Sequence, residues 1–171
     1  MNYLKNSNCY LSAPIESDNG PNWRPMVKDS LSKQFGINVF DPFDDPKQQK
    51  WEDLKDAKAN RDYNKIAKIA KRFVRKDLAM VDRSDFLIAY VPHQICTTGV
   101  CHEVINSNNA KKPTLLVTNL NDISYIPIWY YGFIPVEFMF SNWQMLYNYL
   151  KEVNDGKHKN NDRWSVIYGE V

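Results

Sequence analysis

The chain has 171 residues, of which 43% are hydrophobic and 25% charged, and its formal net charge is only +2. The length suffices for one α/β domain with a sizeable core, and the near-neutral charge argues against a protein dominated by nucleic-acid or membrane electrostatics. Because no apolar run is long enough to span a membrane, the N-terminus lacks a signal-peptide core, and three cysteines suit a reducing compartment, we expect a soluble cytoplasmic protein.

The start of the chain predicts a strand, a helix and a second strand. Residues 8–13 are predicted to form the first strand. Asn22 is expected to cap a helix over residues 23–35, and Gly36 is expected to close it. Residues 37–40 form the second predicted strand. Five apolar residues make the inner stripe of the helix: Trp23, Met26, Val27, Leu31 and Phe35.

A long amphipathic segment follows. Residues 47–60 are polar and weakly helical, and we interpret them as an insertion. Residues 61–81 form the longest periodic element, with an apolar stripe at the 3.6-residue repeat of a helix: Ile66, Ile69, Ala70, Phe73, Val74, Leu78 and Val81. Asp77 lies inside this stripe, where a carboxylate must be paired, hydrogen-bonded or facing a pocket. The opposite face is basic, which usually indicates a solvated surface, so we do not expect nucleic-acid binding.

The central part of the chain predicts a strand, a loop, a short helix and another strand. The apolar runs at residues 85–91 and 113–117 have the length of fully buried strands. Such a unit forms a right-handed crossover between parallel strands, as in doubly wound α/β domains, whose ligands bind outside the carboxyl ends of the strands. Here Gly99 lets the backbone approach a ligand, and Glu103, about one turn into the helix, points back towards that edge.

The end of the chain completes the predicted domain. Residues 136–140 are predicted to form a fifth strand, and four apolar residues line a last helix: Trp143, Leu146, Tyr147 and Leu150. We assign residues 1–154 to the α/β domain. The tail, residues 155–171, contains an apolar stretch that should pack on the domain or on a partner subunit.

Several kinds of functional site have no support in the sequence. There is no phosphate-binding Gly-Lys-Ser/Thr loop, no Gly-x-Gly-x-x-Gly fingerprint and no nucleophile elbow. The spacing of a His/Cys cluster differs from the paired knuckles of structural zinc sites, so buried thiols and a solvated histidine explain it better. The cluster is His93, Cys96, Cys101 and His102.

Two carboxylates and a tyrosine form a stronger set. Glu103 alone is consistent with a favourable acid near a helix start, and Asp77 alone with a hydrogen-bonded carboxylate at a helix end. Together with Tyr10 on the first strand, however, they are expected to converge at the carboxyl edge of the sheet. The sequence therefore predicts the pocket at this edge.

Three segments resemble, in order, the motifs of one enzyme family. Residues 9–15, Cys-Tyr-Leu-Ser-Ala-Pro-Ile, resemble its opening strand and loop, and residues 77–85 resemble its helix-to-strand junction. Residues 99–103, Gly-Val-Cys-His-Glu, resemble its Gly-x-x-x-Glu element, and the Lys-Pro pair at 112–113 opens the next strand. Over residues 8–118 the chain is thus similar to the nucleoside 2-deoxyribosyltransferases and to the related deoxynucleoside 5′-monophosphate N-glycoside hydrolases.

The resemblance implies both a fold and a mechanism. The fold is a doubly wound, flavodoxin- or Rossmann-like sheet of five parallel strands with helices on both faces, assembled into homodimers or larger oligomers. Glu103 would attack the anomeric carbon of a deoxyribose, forming a covalent glycosyl ester and releasing the base. Tyr10 would position Glu103, and Asp77 would bind the sugar or assist protonation of the leaving base. The substrate would be a small nucleoside or nucleotide, and neither a metal nor an organic cofactor would be needed.

Two departures from the family leave the last step open. Transferases usually carry an aspartate six residues before the glutamate, where this chain has Thr97. The nucleotide hydrolases resemble the chain better there, because a hydroxyl group can bind a 5′-phosphate. The first loop has Ala13 and Pro14 where the family often has glycine. Whether a second base or water resolves the ester therefore stays undetermined, and the candidate phosphate ligands are Ser12, Arg24, Thr97 and Thr98.

Two other functions compete with the enzyme. A non-catalytic nucleotide-binding module on the same fold would explain the missing aspartate at Thr97. A nucleic-acid binder would use the basic face of the long helix, and its affinity would fall steeply with salt. We rank the enzyme first, the binding module second and the nucleic-acid binder third, because a fold alone does not secure a function.

Overall fold

The computed structural model describes residues 2–14, 23–44, 51–95 and 97–169. Five parallel strands form one sheet in the order β2-β1-β3-β4-β5, which is the flavodoxin-like order of doubly wound domains. Helices cover both faces, so the predicted fold class is confirmed. The strands are β1 Asn8–Ser12, β2 Asn38–Phe40, β3 Phe86–Tyr90, β4 Thr114–Val117 and β5 Met139–Phe140. The α-helices are α1 Arg24–Phe35, α2 Trp51–Ala59, α3 Tyr63–Arg83, α4 Thr98–Asn109, α5 Ile128–Tyr131, α6 Trp143–Asn154 and α7 Ser165–Tyr168.

The central strands form where the sequence predicts them. β3 is buried at every position, as expected of a strand covered by helices on both faces. β1 pairs in parallel with β2 on one side and β3 on the other. The prediction of a fifth strand over residues 136–140 was too long, because Val136–Phe138 forms a 3₁₀ turn behind Pro135. Only Met139–Phe140 pairs with β4.

α1 differs from its prediction at the N-terminus. Its N-cap residue is Trp23 and not Asn22, which lies outside the described residues. Gly36 closes the helix as predicted, in the left-handed conformation with φ of 71°. Met26 was wrongly placed in the inner stripe, since its side chain is 60% exposed. The buried position in the first turn belongs to Arg24, which has a carboxylate partner inside the fold.

The segment predicted as one helix over residues 61–81 is preceded by a second one. Asp62 accepts a hydrogen bond from Lys65 N and caps α3, while α2 packs against α3 from the other side of that turn. Residues 47–50 of the predicted insertion lie outside the described residues. The apolar stripe of α3 is less buried than predicted: Val74 is 47% exposed. At 1.5 Å per residue, 21 residues span roughly 32 Å, about twice the length of a five-residue strand. The first turns of α3 therefore extend beyond the sheet.

The tail contributes a large side chain to the core. Trp164 ends a 3₁₀ turn, Asp162–Trp164, just before α7, and it is fully buried. Its ring lies 5.5 Å from that of Phe86 on β3, and its Nε1 donates a hydrogen bond to Tyr149 Oη at 2.8 Å. Within the described ranges, no helix is long and apolar enough to cross a membrane.

Candidate active site

The site is built on β1, which lies between β2 and β3 in the sheet. Successive side chains of a strand point to opposite faces, so Tyr10 and Ser12 share one face and Leu11 lies on the other. Tyr10 pairs with Leu87, and Ser12 pairs with Ala89, at the carboxyl half of the sheet. Both side chains are fully buried. A pair of hydroxyl groups therefore projects from the sheet towards the helix that covers this face.

α4 brings Glu103 to these hydroxyls. Tyr10 Oη donates a hydrogen bond to Glu103 Oε1 at 2.9 Å. Ser12 Oγ donates a hydrogen bond to the other oxygen, Oε2. The Glu103 side chain is only 8% exposed. Both oxygens of a buried carboxylate are thus held by two residues of the same strand.

The start of α4 lies beside this carboxylate in the sequence. Thr97 is the N-cap residue, and its hydroxyl oxygen accepts a hydrogen bond from Val100 N at 3.4 Å. Thr98 and Gly99 are exposed in the first turn. A Cβ atom placed on Gly99 would meet nothing within 4 Å, so the space above this turn is open. The first amides of a helix have no partner within the helix, so a helix start can bind an anion.

Asp77 comes from the neighbouring helix α3, which packs against α4. Its side chain is 6% exposed, so the sequence correctly singled it out as a buried carboxylate within an apolar stripe. Its negative charge raises the pKa of both Glu103 and Tyr10. The structure thus brings Tyr10, Asp77 and Glu103 into one electrostatically coupled group, as the sequence predicted.

Opposing effects set the charge of Glu103. Burial is the largest effect and raises its pKa from 4.5 to about 7, with Asp77 adding to the rise. The hydrogen bonds from Ser12 and Tyr10 favour the ionised form and lower the pKa, as does the charge of Arg24. Glu103 is therefore a carboxyl group that titrates near neutral pH. The pKa of Tyr10 lies well above its usual value, mainly because of burial, so Tyr10 is a hydrogen-bond donor throughout this range.

Arg24 is engaged inside the fold. Its Nη1 lies 2.7 Å from Asp41 Oδ1 and also donates to Leu11 O, while Nη2 donates to Ala13 O. Its guanidinium group lies over the ring of Phe43, 4.6 Å from the centroid. Both partners of the ion pair are buried, and burial lowers the pKa of Arg24. Arg24, a sequence-based candidate for phosphate binding, thus already has an anionic partner at Nη1 and a backbone carbonyl at Nη2, and its buried Nε has no hydrogen-bond partner.

The sequence analysis missed Asp41 altogether. Asp41 follows β2 directly, and Arg24 opens the helix that follows β1. Because β1 and β2 are adjacent and parallel, residues just beyond their carboxyl ends come together. A basic and an acidic residue at these two places is the signal that could have predicted the pair.

The residues of the zinc hypothesis do not assemble in the described structure. Cys96 lies outside the described residues, and His93 and His102 are exposed. The thiol of Cys101 lies 3.2 Å from Tyr130 Oη. No group of three potential metal ligands occurs within residues 2–14, 23–44, 51–95 and 97–169.

Comparisons with known proteins give a fold and no closer relationship. The sequence matches no protein-family model, and no curated protein matches it significantly. The structure is similar to a 2-deoxyribosyltransferase from the psychrotolerant bacterium Bacillus psychrosaccharolyticus, with a TM-score of 0.55 and 16% identity over 82% of this chain and 90% of that one. It is also similar to a conserved protein from Enterococcus faecalis V583, with a TM-score of 0.56 and 13% identity over 88% of this chain and 98% of that one. Identities this low establish a shared fold only. The fold expected from the sequence resemblance is therefore confirmed.

Proposed function

We propose that the protein cleaves the N-glycosidic bond of 2′-deoxynucleosides or of their 5′-monophosphates, with Glu103 as the nucleophile. One observation carries the proposal: a buried carboxylate at the carboxyl half of a parallel sheet, held through both oxygens and titrating near neutral pH. Buried carboxylates with perturbed pKa values occur preferentially at functional sites. The similarity to a 2-deoxyribosyltransferase supports the same assignment at the level of the fold.

The reaction proceeds in two displacements. In the first, a Glu103 oxygen forms a bond to the anomeric carbon while the bond from that carbon to the base nitrogen breaks. The bonding electron pair leaves with the base, which takes up a proton. In the second, a nucleophile attacks the same carbon from the opposite side and loses its proton to a base. The bond from that carbon to the Glu103 oxygen breaks, and its electron pair returns Glu103 as a free carboxylate. Two inversions retain the configuration at the anomeric carbon.

Tyr10 and Asp77 have separate tasks in this scheme. Tyr10 fixes the orientation of Glu103 through the hydrogen bond to Oε1. Asp77, buried beside Glu103, accepts a hydrogen bond from the sugar or conducts the proton to the leaving base. Neither step involves a metal ion or an organic cofactor.

The second nucleophile distinguishes two enzymes. A free base makes the protein a deoxyribosyltransferase, and water makes it an N-glycoside hydrolase. Thr97, Thr98 and Gly99 form the open first turn of α4, where a 5′-phosphate would meet free amides and the hydroxyl of Thr98. We infer a homodimer or larger homo-oligomer, because Ile128 and Trp129 are 88% and 77% exposed, which is unusual for large apolar side chains.

Chromatography of reaction products tests the proposal. The purified protein is incubated with deoxynucleosides and their monophosphates, with and without a second free base. Base released without an acceptor indicates a hydrolase, and a new nucleoside formed only with an acceptor indicates a transferase. Glu103→Gln should abolish either product, whereas Glu137→Gln, a change at an exposed carboxylate, should leave it unchanged. Full activity of Glu103→Gln would rule out the mechanism.

A second candidate is a non-catalytic nucleotide-binding module. It is favoured by Thr97, which caps α4. In the family that the sequence resembles, transferases carry an aspartate at this position. The module would bind nucleotides saturably and release no base in a long incubation. Binding in a calorimetric titration with the same panel, together with no released base in the chromatographic assay, would identify the module.

A further inference from the structure

Ser12 contacts Glu103 in the structure, and this contact differs from the role that the sequence predicted for Ser12. The sequence made Ser12 a candidate phosphate ligand. In the structure, its hydroxyl donates to Glu103 Oε2, while Tyr10, two residues earlier on β1, donates to Oε1. Ser12 is fully buried, and its backbone is fixed by parallel pairing with Ala89. One strand, paired with neighbours on both sides, thus carries both donors to one carboxylate.

We propose that Ser12 is a positioning residue that, together with Tyr10, locks the plane of the Glu103 carboxylate, and that its hydroxyl does not bind a substrate phosphate. This inference rests on the proposed function, in which Glu103 is the nucleophile. It gives Ser12 a task in the reaction through Glu103, without contact to the substrate.

The geometry of a glutamate explains why two donors are needed. The last torsion of the side chain, which turns the carboxylate plane, has a broad energy profile and is not fixed by rotamer preference. A single hydrogen bond from Tyr10 leaves the plane free to turn about the bonded oxygen. A second bond to Oε2 fixes the plane and still leaves a lone pair on each oxygen for attack. Reaction rates depend steeply on such orientation.

The hydroxyl of Ser12 also acts on the charge of Glu103. Three other elements face Glu103 with titratable or charged groups: Tyr10 on β1, Asp77 on α3 and Arg24 on α1. Burial and Asp77 favour the neutral acid, whereas Ser12, Tyr10 and Arg24 favour the carboxylate. Removing the Ser12 hydroxyl should therefore shift Glu103 towards its neutral, unreactive form at pH 7.

The same hydroxyl is poorly suited to a phosphate. Serine has one O–H donor, and that donor is committed to Glu103. A phosphate brought to Ser12 would also lie against the Glu103 carboxyl group, whose ionised form repels it. A 5′-phosphate would instead meet the exposed first turn of α4, at Thr98.

Ser12→Ala tests the proposal against a matched control. Ser107→Ala also removes a fully buried hydroxyl, one that bonds Thr114 and lies one turn beyond Glu103 on α4. Glutamate labelled with ¹³C at the carboxyl carbon reports the pKa of Glu103 directly, with Glu103→Gln identifying its signal. We expect Ser12→Ala to raise this pKa by about one unit or more, and Ser107→Ala to leave it unchanged.

Kinetics provides the second readout. At pH 7, a rise of about one unit lowers the ionised fraction of Glu103 about five-fold, so kcat should fall at least that far with little change in KM. The loss should be equal for a deoxynucleoside and its monophosphate, and it should diminish at higher pH. A loss confined to KM for the monophosphate would overturn the proposal and return Ser12 to phosphate binding. An unchanged pKa of Glu103 would overturn it as well.

Two further arms separate other outcomes. If Ser12→Ala does not fold, Ser12→Cys keeps the shape of the side chain with a weaker donor, and a smaller rise in pKa is expected. If the wild-type protein releases no base from any substrate, the proposed function fails. The titration then still decides whether Ser12 holds the carboxylate: a raised pKa in Ser12→Ala supports that contact, and an unchanged one refutes it.

Discussion

Replacing Glu103 by glutamine should make the folded protein more stable at alkaline pH. In the folded state the pKa of Glu103 is raised from 4.5 to about 7, chiefly by burial. The neutral acid is therefore the form that the fold favours, and stability is lost as the pH rises from about 4.5 through about 7. At 1.36 kcal/mol per unit, this difference of about 2.5 units is worth about 3 kcal/mol above pH 8.

Glutamine keeps the shape of the side chain and an oxygen for the Tyr10 hydroxyl, but it carries no charge at any pH. Glu103→Gln should thus match the wild type in the free energy of unfolding near pH 4.5 and gain progressively up to pH 8. Urea denaturation at several pH values measures the difference, which corresponds to roughly 6–12 °C in Tm for a chain of this size. Titrating groups that do not interact with Glu103 cancel in the comparison.

The pH dependence of this stability difference tests whether Glu103 titrates near neutral pH. A stability gain of Glu103→Gln that is the same at pH 5 and pH 8 would show that Glu103 does not titrate near neutral pH in the folded protein. Glu137→Gln serves as the control, because the Glu137 side chain is exposed and should give no pH-dependent gain. A gain of equal size in the control would have the same consequence.

Three further predictions use the same site and the tail. Asp77→Asn should lower the pKa of Glu103, because the Asp77 charge raises it. The acid limb of the pH–rate profile should therefore move to lower pH, and a shift to higher pH would contradict this effect of Asp77. Asp41→Asn should destabilise the fold by about 3–5 kcal/mol, since it leaves Arg24 charged and buried. Replacing both Arg24 and Asp41 by apolar residues should cost less than Asp41→Asn alone, and a larger loss of unfolding free energy would count against this account. Trp164→Ala should cost about 3–5 kcal/mol in thermal or urea unfolding, because the ring is fully buried against Phe86; a loss below about 1 kcal/mol would show that the tail is not part of the cooperative unit.

The sequence could predict most of the sheet because buried parallel strands leave a strong local signal. β3 and β4 are continuous apolar runs, and the helix between them has a clear start at Thr97. β5 has only two residues, and its neighbours Val136–Phe138 have the same composition as a strand. Whether such a run forms a turn or pairs as a strand depends on Pro135 and on contacts with β4. The contacts with β4 cannot be read from the local sequence.

The sequence predicts the helices better than it predicts how deeply they are buried. The periodicity of α3 correctly predicts a helix, but it also predicts a buried stripe along the whole length. Burial depends on what faces the helix, and the side chain of Val74, in the middle of α3, is 47% exposed. Periodicity therefore identified the helix and the unusual position of Asp77, but it did not identify how much of the helix the domain covers.

The site was predictable in its residues and only partly in their partners. Tyr10, Asp77 and Glu103 are brought together as the order of strands required. Under the family resemblance, Ser12 and Arg24 were candidate ligands of a substrate phosphate. Each has an internal anion instead, Glu103 for Ser12 and Asp41 for Arg24. Sequence spacing predicts the edge of the sheet at which side chains meet. It does not predict which anionic group each side chain bonds, because that depends on differences of a few ångströms in the folded structure.

These internal pairs explain how the fold tolerates a carboxylate at its centre. Burying Glu103 without donors would push it fully to the neutral form, and a neutral acid is a poor nucleophile. The hydroxyls of β1 offset part of the burial cost, and the positive charge of Arg24 also favours the ionised form of Glu103. The result is a carboxyl group close to half ionised at pH 7, less stable than glutamine would be in its place and more basic than an exposed glutamate. Stability and reactivity therefore change in opposite directions at Glu103, and substitutions at Ser12 should change the balance between them without changing the fold.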